Sequence, residues 1–338
     1  MPTLGATALT LTDWAKRFDG TNIPMIVELL AQTNEVLTDM LWIEGNLPTG
    51  NMTTIRTGLP STTWRKLYGG VQESKSTTAQ ITDSVGSLES RAAVDKDLAD
   101  LNGNTDAFRL TETSAFLESM NQAFVTALLS GDTTVNPEQF HGLRLRYPSL
   151  SGATAQNVIG AGGTTNLTEI WLIGWGSPAI AGVFGKGMTA GLQHFDLGEG
   201  DAFAVEADGF TPAGRYRAYL DRYVWKCGLM VKDWRYAVRI PNIDTAALKA
   251  MSGTQAITAA TSVLYLMSDA MERLPSMGLA RPVFYCNRTV RAALRKIGLE
   301  KSNSAMGIEA AMGQVQTSFL GVPIHLMDAI TNSVAQVS

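Results

Sequence analysis

The chain has 338 residues, of which 45% are hydrophobic and only 17% charged, with a formal net charge of −4. That hydrophobic share excludes a disordered protein, and the charged share falls below the ~25% usual for soluble domains, as suits either a subunit covered by neighbours or a large monomer. The net acidity leaves no basic excess to hold phosphates, which argues against a dedicated nucleic-acid binder.

No apolar run reaches the ~20 residues of a membrane span. The first residues, Met1 to Gly5, lack the basic start and apolar stretch of a signal peptide. Cys227 and Cys286 are the only cysteines. Two in a chain this long make no disulfide framework, so buried thiols and synthesis in a reducing cytoplasm are expected.

In chain order, residues 1–50 read as an arm with some helix, carrying Trp14 and Phe18 near its start. Pro24 fits the first turn of a helix running to about Leu41, stopped by Gly45, Pro48 and Gly50. Residues 51–90 change character. Thr53 to Thr57 and Thr62 to Leu67 are short β-type runs separated by Gly58-Leu59-Pro60-Ser61. Strands this polar bury no face alone, and an isolated hairpin is marginal in water. A protruding ribbon that lies against another copy resolves the conflict. Arg56, Trp64, Arg65, Lys66 and Tyr68, with Trp14 and Phe18 of the arm, are its inter-subunit contact candidates.

Glu89 to Leu101 reads as a short helix, and Asp106 caps a long one running to about Ser130. Phe116, Met120, Phe124, Ala127 and Leu128 share one face of it. At ~1.5 Å per residue this spine spans about 36 Å. Residues 136–200 are glycine-dense loop around a strand from Thr168 to Gly174. From Ala202 to Ile243 the pattern is β, with Met230, Trp234, Tyr236, Val238 and Ile240 alternating with polar neighbours, and Lys226-Cys227-Gly228 marking a bulge or bend. A helix over Ile257–Met271, a strand at Pro282–Cys286, a basic helix capped by Asn287, and strands at Val315–Leu320 and Val322–Leu326 complete the chain.

The chemistry-bearing residues form no catalytic motif. His141, His194 and His325 are far apart and outside any ligand spacing. Gly182 to Thr189 fails the phosphate-loop pattern, since Ile180 and Gly187 stand where a glycine and a Ser or Thr belong. No G-x-S-x-G elbow is present. Glu199, Asp201, Glu206 and Asp208 cluster without EF-hand spacing and read as a solvated loop. Arg288, Arg291 and Arg295 share a side of the basic helix and face either phosphates or a neighbour's carboxylates. No catalytic residue, cofactor or metal is expected. A metal-dependent enzyme is a further alternative, favoured if Glu199, Asp201 and His194 converge in a cleft.

The order of parts resembles the tailed-bacteriophage major capsid proteins, which share the shell fold first described for phage HK97, and their podophage branch most. Ser87 to Lys96 looks like the stretch leading from the extended loop to the spine, and Asn136 to Leu143 like the turn after it. Trp225 to Ile243 resembles the long central strand pair, and Phe319 to Ile330 the closing strands. The resemblance implies an α+β fold of consecutive parts. These are an N-terminal arm (1–50), an extended β-hairpin loop (51–90), a peripheral domain with the spine helix 106–130 (91–140), a central apical domain (141–275) and return strands and helix (276–338). It implies pentamers and hexamers closing into an icosahedral shell around double-stranded DNA, with portal, scaffolding and cement proteins as partners. It also implies assembly in the bacterial cytoplasm and residence in the virion. A different virion part, such as a cement protein, is the alternative.

Overall fold

The structure, a computed structural model, describes residues 32–101, 105–152, 155–205, 212–249, 254–298, 306–311 and 314–338. Trp14, Phe18, Glu206, Asp208 and most of the expected helix from Pro24 lie outside them. The chain divides into two compact units. One takes Ser87–Val125 and Gly191–Lys226. The other takes Thr33–Gly86, Thr126–Ala190 and Cys227–Ser338. The segment after Gly191 thus clusters with the start of the spine helix.

The second unit is built on a sheet. Its strands are β1 (Trp42–Glu44), β2 (Gly50–Gly58), the first part of β3 (Thr77–Asp95), β4 (Leu167–Trp175), β5 (Ile180–Phe184), the end of β7 (Pro212–Val231), β8 (Ala237–Asp244), β9 (Arg281–Cys286), β10 (Met306–Ala311), β11 (Gln314–Phe319) and β12 (Val322–Leu326). The order is β10-β11-β12-β9-β4-β5-β7-β3-β2, with β8 on β4 and β1 on β5. All nine residues of β4 are buried. Such a strand is covered on both faces, and its sequence is accordingly an apolar run rather than an alternation. Antiparallel β8 and β9 flank it, with Trp171 opposite both Arg239 and Tyr285.

Seven helices accompany the strands among the described residues: α1 (Val36–Asp39), α2 (Lys96–Asp100), α3 (Thr105–Ser130), α4 (Leu143–Arg146), α5 (Thr245–Lys249), α6 (Thr254–Glu272) and α7 (Arg288–Gly298). Asn287 caps α7 by accepting from the Val290 N–H at 3.0 Å, as its position before a basic amphipathic run predicts. Val290, Ala293 and Leu294 are its buried stripe. The spine helix α3 stops at Gly131, whose N–H returns to the Ala127 carbonyl at 2.7 Å. A Cβ there would stand 2.4 Å from the Phe140 carbonyl oxygen, so the crossing requires glycine.

The first unit sets α3 against β3 and the hairpin of β6 (Leu192–Val205) and β7. Ala92, Met120 and Tyr223 form a core cluster, with Leu88, Phe116 and Trp225 packed on it. Val94, Leu98, Ala99 and Phe108 form a second, covered by Tyr219. These aromatic contacts are the physical reason Gly191–Lys226 groups with the spine.

Several local expectations are corrected. Glu89 to Asp95 is strand, not helix: Ala92 and Val94 are buried while Arg91 and Ala93 are exposed, a period of two. Only Lys96–Asp100 is helical, capped by Asp95, which accepts from the Asp97 N–H at 2.9 Å. Thr62 to Leu67 forms no strand, and the partner of β2 is Thr77–Ser84. The alternation around Trp234 is a 3-10 turn over Trp234–Tyr236, which splits the expected strand into β7 and β8. At Gly228 β7 does not break. It exchanges partners, pairing through Trp225 with β6 and from Gly228 with β5. The glycine-dense stretch holds β5 and the start of β6, and β10 was not foreseen. The Pro24 helix does not run unbroken to Leu41: among the described residues before β1 at Trp42, only Val36–Asp39 are helical.

Candidate functional site

The hairpin of β2 and β3 pairs Gly50 with Ser84 at its base and Gly58 with Thr77 at its end. Nine residues of β2 at ~3.3 Å each give a ribbon about 30 Å long. Past Asn51 none of its residues is buried until Asp83. The base is fixed by Asp83, whose carboxylate accepts from Arg146 Nη2 at 2.7 Å and from the Val231 N–H at 3.0 Å.

Residues 59–76 join the strands and hold themselves only by local bonds. Arg65 Nε donates to the Gly69 carbonyl at 2.9 Å, and Ser74 Oγ to the Ser61 carbonyl at 3.0 Å. Tyr68 sits at φ 63°, a left-handed conformation that is uncommon for a bulky residue. The apolar groups of this tip have no cover in the subunit: Leu67 is 92% exposed, Trp64 fully exposed, and Leu59, Tyr68 and Val71 are exposed with them. A soluble monomer rarely displays such a cluster, and Arg56, Arg65 and Lys66 are exposed beside it. The sequence named Trp64 and Tyr68; Leu59 and Leu67 belong with them.

Charged side chains are tied up in two knots. In the second unit Glu169 is fully buried in β4. It accepts from Arg144 Nε at 2.8 Å, Trp171 Nε1 at 3.0 Å and Arg239 Nε at 2.8 Å. Burial alone would raise its pKa, but Arg239 and Arg144 outweigh burial and hold it below the usual carboxylate value. In the first unit Arg109 bridges Asp196 and Asp221 at 2.9 Å each, and Arg222 grips Glu89 with two bonds of 3.0 and 2.8 Å. The Arg222 and Arg91 guanidinium groups lower Glu89 to a pKa of about 2.

The candidate catalytic residues do not converge. His194 Nε2 contacts Asp221 at 2.8 Å and its ring stacks on Tyr223. Glu199 pairs with Lys96, and Asp201 with Arg217 at 3.2 Å. His194 and Glu199 lie five positions apart on one strand, roughly 16 Å. Among the described residues no group of three or more His, Cys, Asp or Glu could hold a metal ion. His141 hydrogen-bonds Thr133 at 2.8 Å, and His325 is bound to Asp39.

Burial pushes the thiols of Cys227 and Cys286 up to about 12. A thiol reagent at about pH 8 is therefore expected to leave the native chain unlabelled, because only the thiolate reacts. Both cysteines should label once denaturant is added, and rapid labelling without denaturant would contradict the burial. Arg288 and Arg295 of α7 bond within the chain, and Arg291 has a longer pairing. Arg288 binds Asp328 at 2.8 Å, Arg295 Nε donates to Thr317 at 2.8 Å, and Arg291 stands 3.7 Å from Glu35.

The family is shown by likeness to known proteins. A family model described as major capsid protein GP7 matches residues 19–338. A chain in the near-atomic structure of bacteriophage Epsilon15 is 32% identical, with a TM-score of 0.73, covering 100% of this chain and 99% of that one. A chain of the bacteriophage JBD30 capsid is 14% identical with a TM-score of 0.49, over 89% and 92% of the two chains. No curated protein matches. With the family match reaching from residue 19 to the last residue, the chain belongs to the GP7 family of major capsid proteins, shell-forming subunits with the HK97-like fold that reside in the virion.

Proposed function

We propose that the subunit closes as pentamers and hexamers into an icosahedral shell around double-stranded DNA, and that the tip at residues 59–76 is the element each copy lays on its neighbour. The observation that carries this reading is the uncovered cluster of Leu59, Trp64, Leu67 and Tyr68 at the end of a polar ribbon. Such a ribbon gains its partner only on assembly. In this reading residues 51–90 are the extended loop, 1–50 an arm with Trp14 and Phe18 as further contacts, and α3 the spine. The chain works without catalysis, cofactor or metal. Portal, scaffolding and cement proteins join it, and assembly takes place in the host cytoplasm. A net charge of −4 suits a lining that holds the genome loosely enough for release.

Limited trypsin digestion tests the tip. In unassembled subunits the expected first cuts follow Arg65 and Lys66, which are exposed in an irregular segment. In assembled shells the same bonds should resist. Equal cleavage in both states would remove the tip from the interface.

A further inference from the structure

The second unit holds a cavity of about 930 Å³ where α1, the start of β9, α7 and the β11–β12 turn meet. Three guanidinium groups line it, Arg281, Arg291 and Arg295, against the two carboxylates of Glu35 and Asp39. Both carboxylates are committed elsewhere. Glu35 Oε2 accepts from the Leu326 N–H at 3.0 Å. Asp39 Oδ2 accepts from the Tyr285 hydroxyl at 2.8 Å and also contacts His325.

Arg295 donates to Thr317, but Arg281 and Arg291 are left with long pairings. Arg281 stands 3.6 Å from Asp39 and Arg291 3.7 Å from Glu35, both beyond hydrogen-bond length. Arg291 is mostly buried, and desolvation together with repulsion from Arg295 draws its pKa below the usual value in spite of Glu35. A second anion beside Arg291 would offset the repulsion from Arg295. The rim is apolar, with Met277 43% and Leu320 55% exposed.

We infer that this cavity receives an acidic peptide segment presented by another protein chain, its carboxylates bridging Arg281 and Arg291 and its apolar side chains covering Met277 and Leu320. Guanidinium forks match carboxylates in two-point contact. The volume lies within the ~300–1,000 Å³ of sites that take drug-sized ligands, enough for a few extended residues and far more than an inorganic anion fills. Nucleic acid fits worse. Met277 and Leu320 stand exposed at the rim, and a phosphate backbone offers no apolar side chains to cover them.

The test uses the full-length subunit before assembly and fluorescein-labelled Ac-Glu-Leu-Glu-Glu-Leu-Glu-amide, read by anisotropy at low salt. The glutamate peptide should bind at least about tenfold more tightly than its all-glutamine counterpart. Arg281→Gln and Arg291→Gln should each weaken it about tenfold, while Lys186→Gln, an exposed cation outside the cavity, should not. Arg281 is 65% exposed, so its variant folds even if Arg291→Gln does not. Equal binding of the two peptides, or no effect of Arg281→Gln, overturns the proposal. Tighter binding of a twelve-residue thymidine oligonucleotide reassigns the cavity to nucleic acid and overturns it too. So does displacement of the peptide by orthophosphate beyond what sodium chloride of equal ionic strength achieves.

Discussion

Glu169→Gln is expected to destabilise the unassembled subunit by about 3–5 kcal/mol, the usual cost of leaving a buried charge without its partner. Glu169 has no solvent exposure and Arg239 is almost as deeply buried. The amide keeps the shape but not the charge, so two guanidinium groups face a neutral neighbour. Arg144 is partly exposed and can turn outward, but Arg239 cannot, because its Nη1 also holds the Tyr147 carbonyl at 2.8 Å. Denaturant unfolding would read the loss directly. A paired replacement, Glu169→Leu with Arg239→Met, should recover much of it, since apolar groups of similar volume need no countercharge. If the single variant unfolds at the wild-type midpoint, the knot does not support the sheet.

The same knot sets a pH dependence. The folded pKa of Glu169 lies below its ordinary value of 4.5. Its contribution is therefore complete above about pH 4.5 and is lost as pH falls through the lower folded value. Loss of stability on raising pH from neutrality would have the wrong sign for this group.

How much of this was readable in advance follows from the range of each interaction. The spine helix, expected at 106–130 and found at Thr105–Ser130, was legible from its periodicity, though Asp106 lies inside its first turn and does not cap it, and the Asn287-capped helix was legible from its cap, both being local signals. Glu89 to Asp95 misled for the same reason: glutamate, arginine and alanine favour helix, yet the core clusters holding Leu88, Ala92 and Val94 impose a strand. Thr62 to Leu67 has strand-like residues but no partner strand, and β-propensity without a partner forms nothing. The knot was hidden because Arg239 lies 70 residues from Glu169 and Arg144 lies 25 away. One signal did exist. A single carboxylate in Leu167-Thr168-Glu169-Ile170-Trp171-Leu172-Ile173 is a charge in an otherwise apolar strand, and it requires a cation from elsewhere.

Trp64→Ala should leave folding intact and cripple shell formation. The side chain is fully exposed, so removing it should change unfolding free energy by no more than about 0.5 kcal/mol. At an interface the same ring buries roughly 150–250 Å². At ~25 cal/mol per Å² that is about 4–6 kcal/mol gross per contact, before ordering costs reduce it. A net loss of about 2 kcal/mol, the threshold for an interface anchor, raises the subunit concentration needed for assembly by about thirtyfold. Because every copy repeats the contact, the deficit multiplies around a closed shell. Light scattering against concentration measures the shift, with unfolding of the variant as its control. Trp64→Phe keeps most of the apolar area and should assemble at concentrations between the two. A Trp64→Ala chain that fails to fold would put Trp64 in a core. One that assembles at the wild-type concentration would mean that the tip's exposed ring contributes nothing to the neighbour it was read as touching.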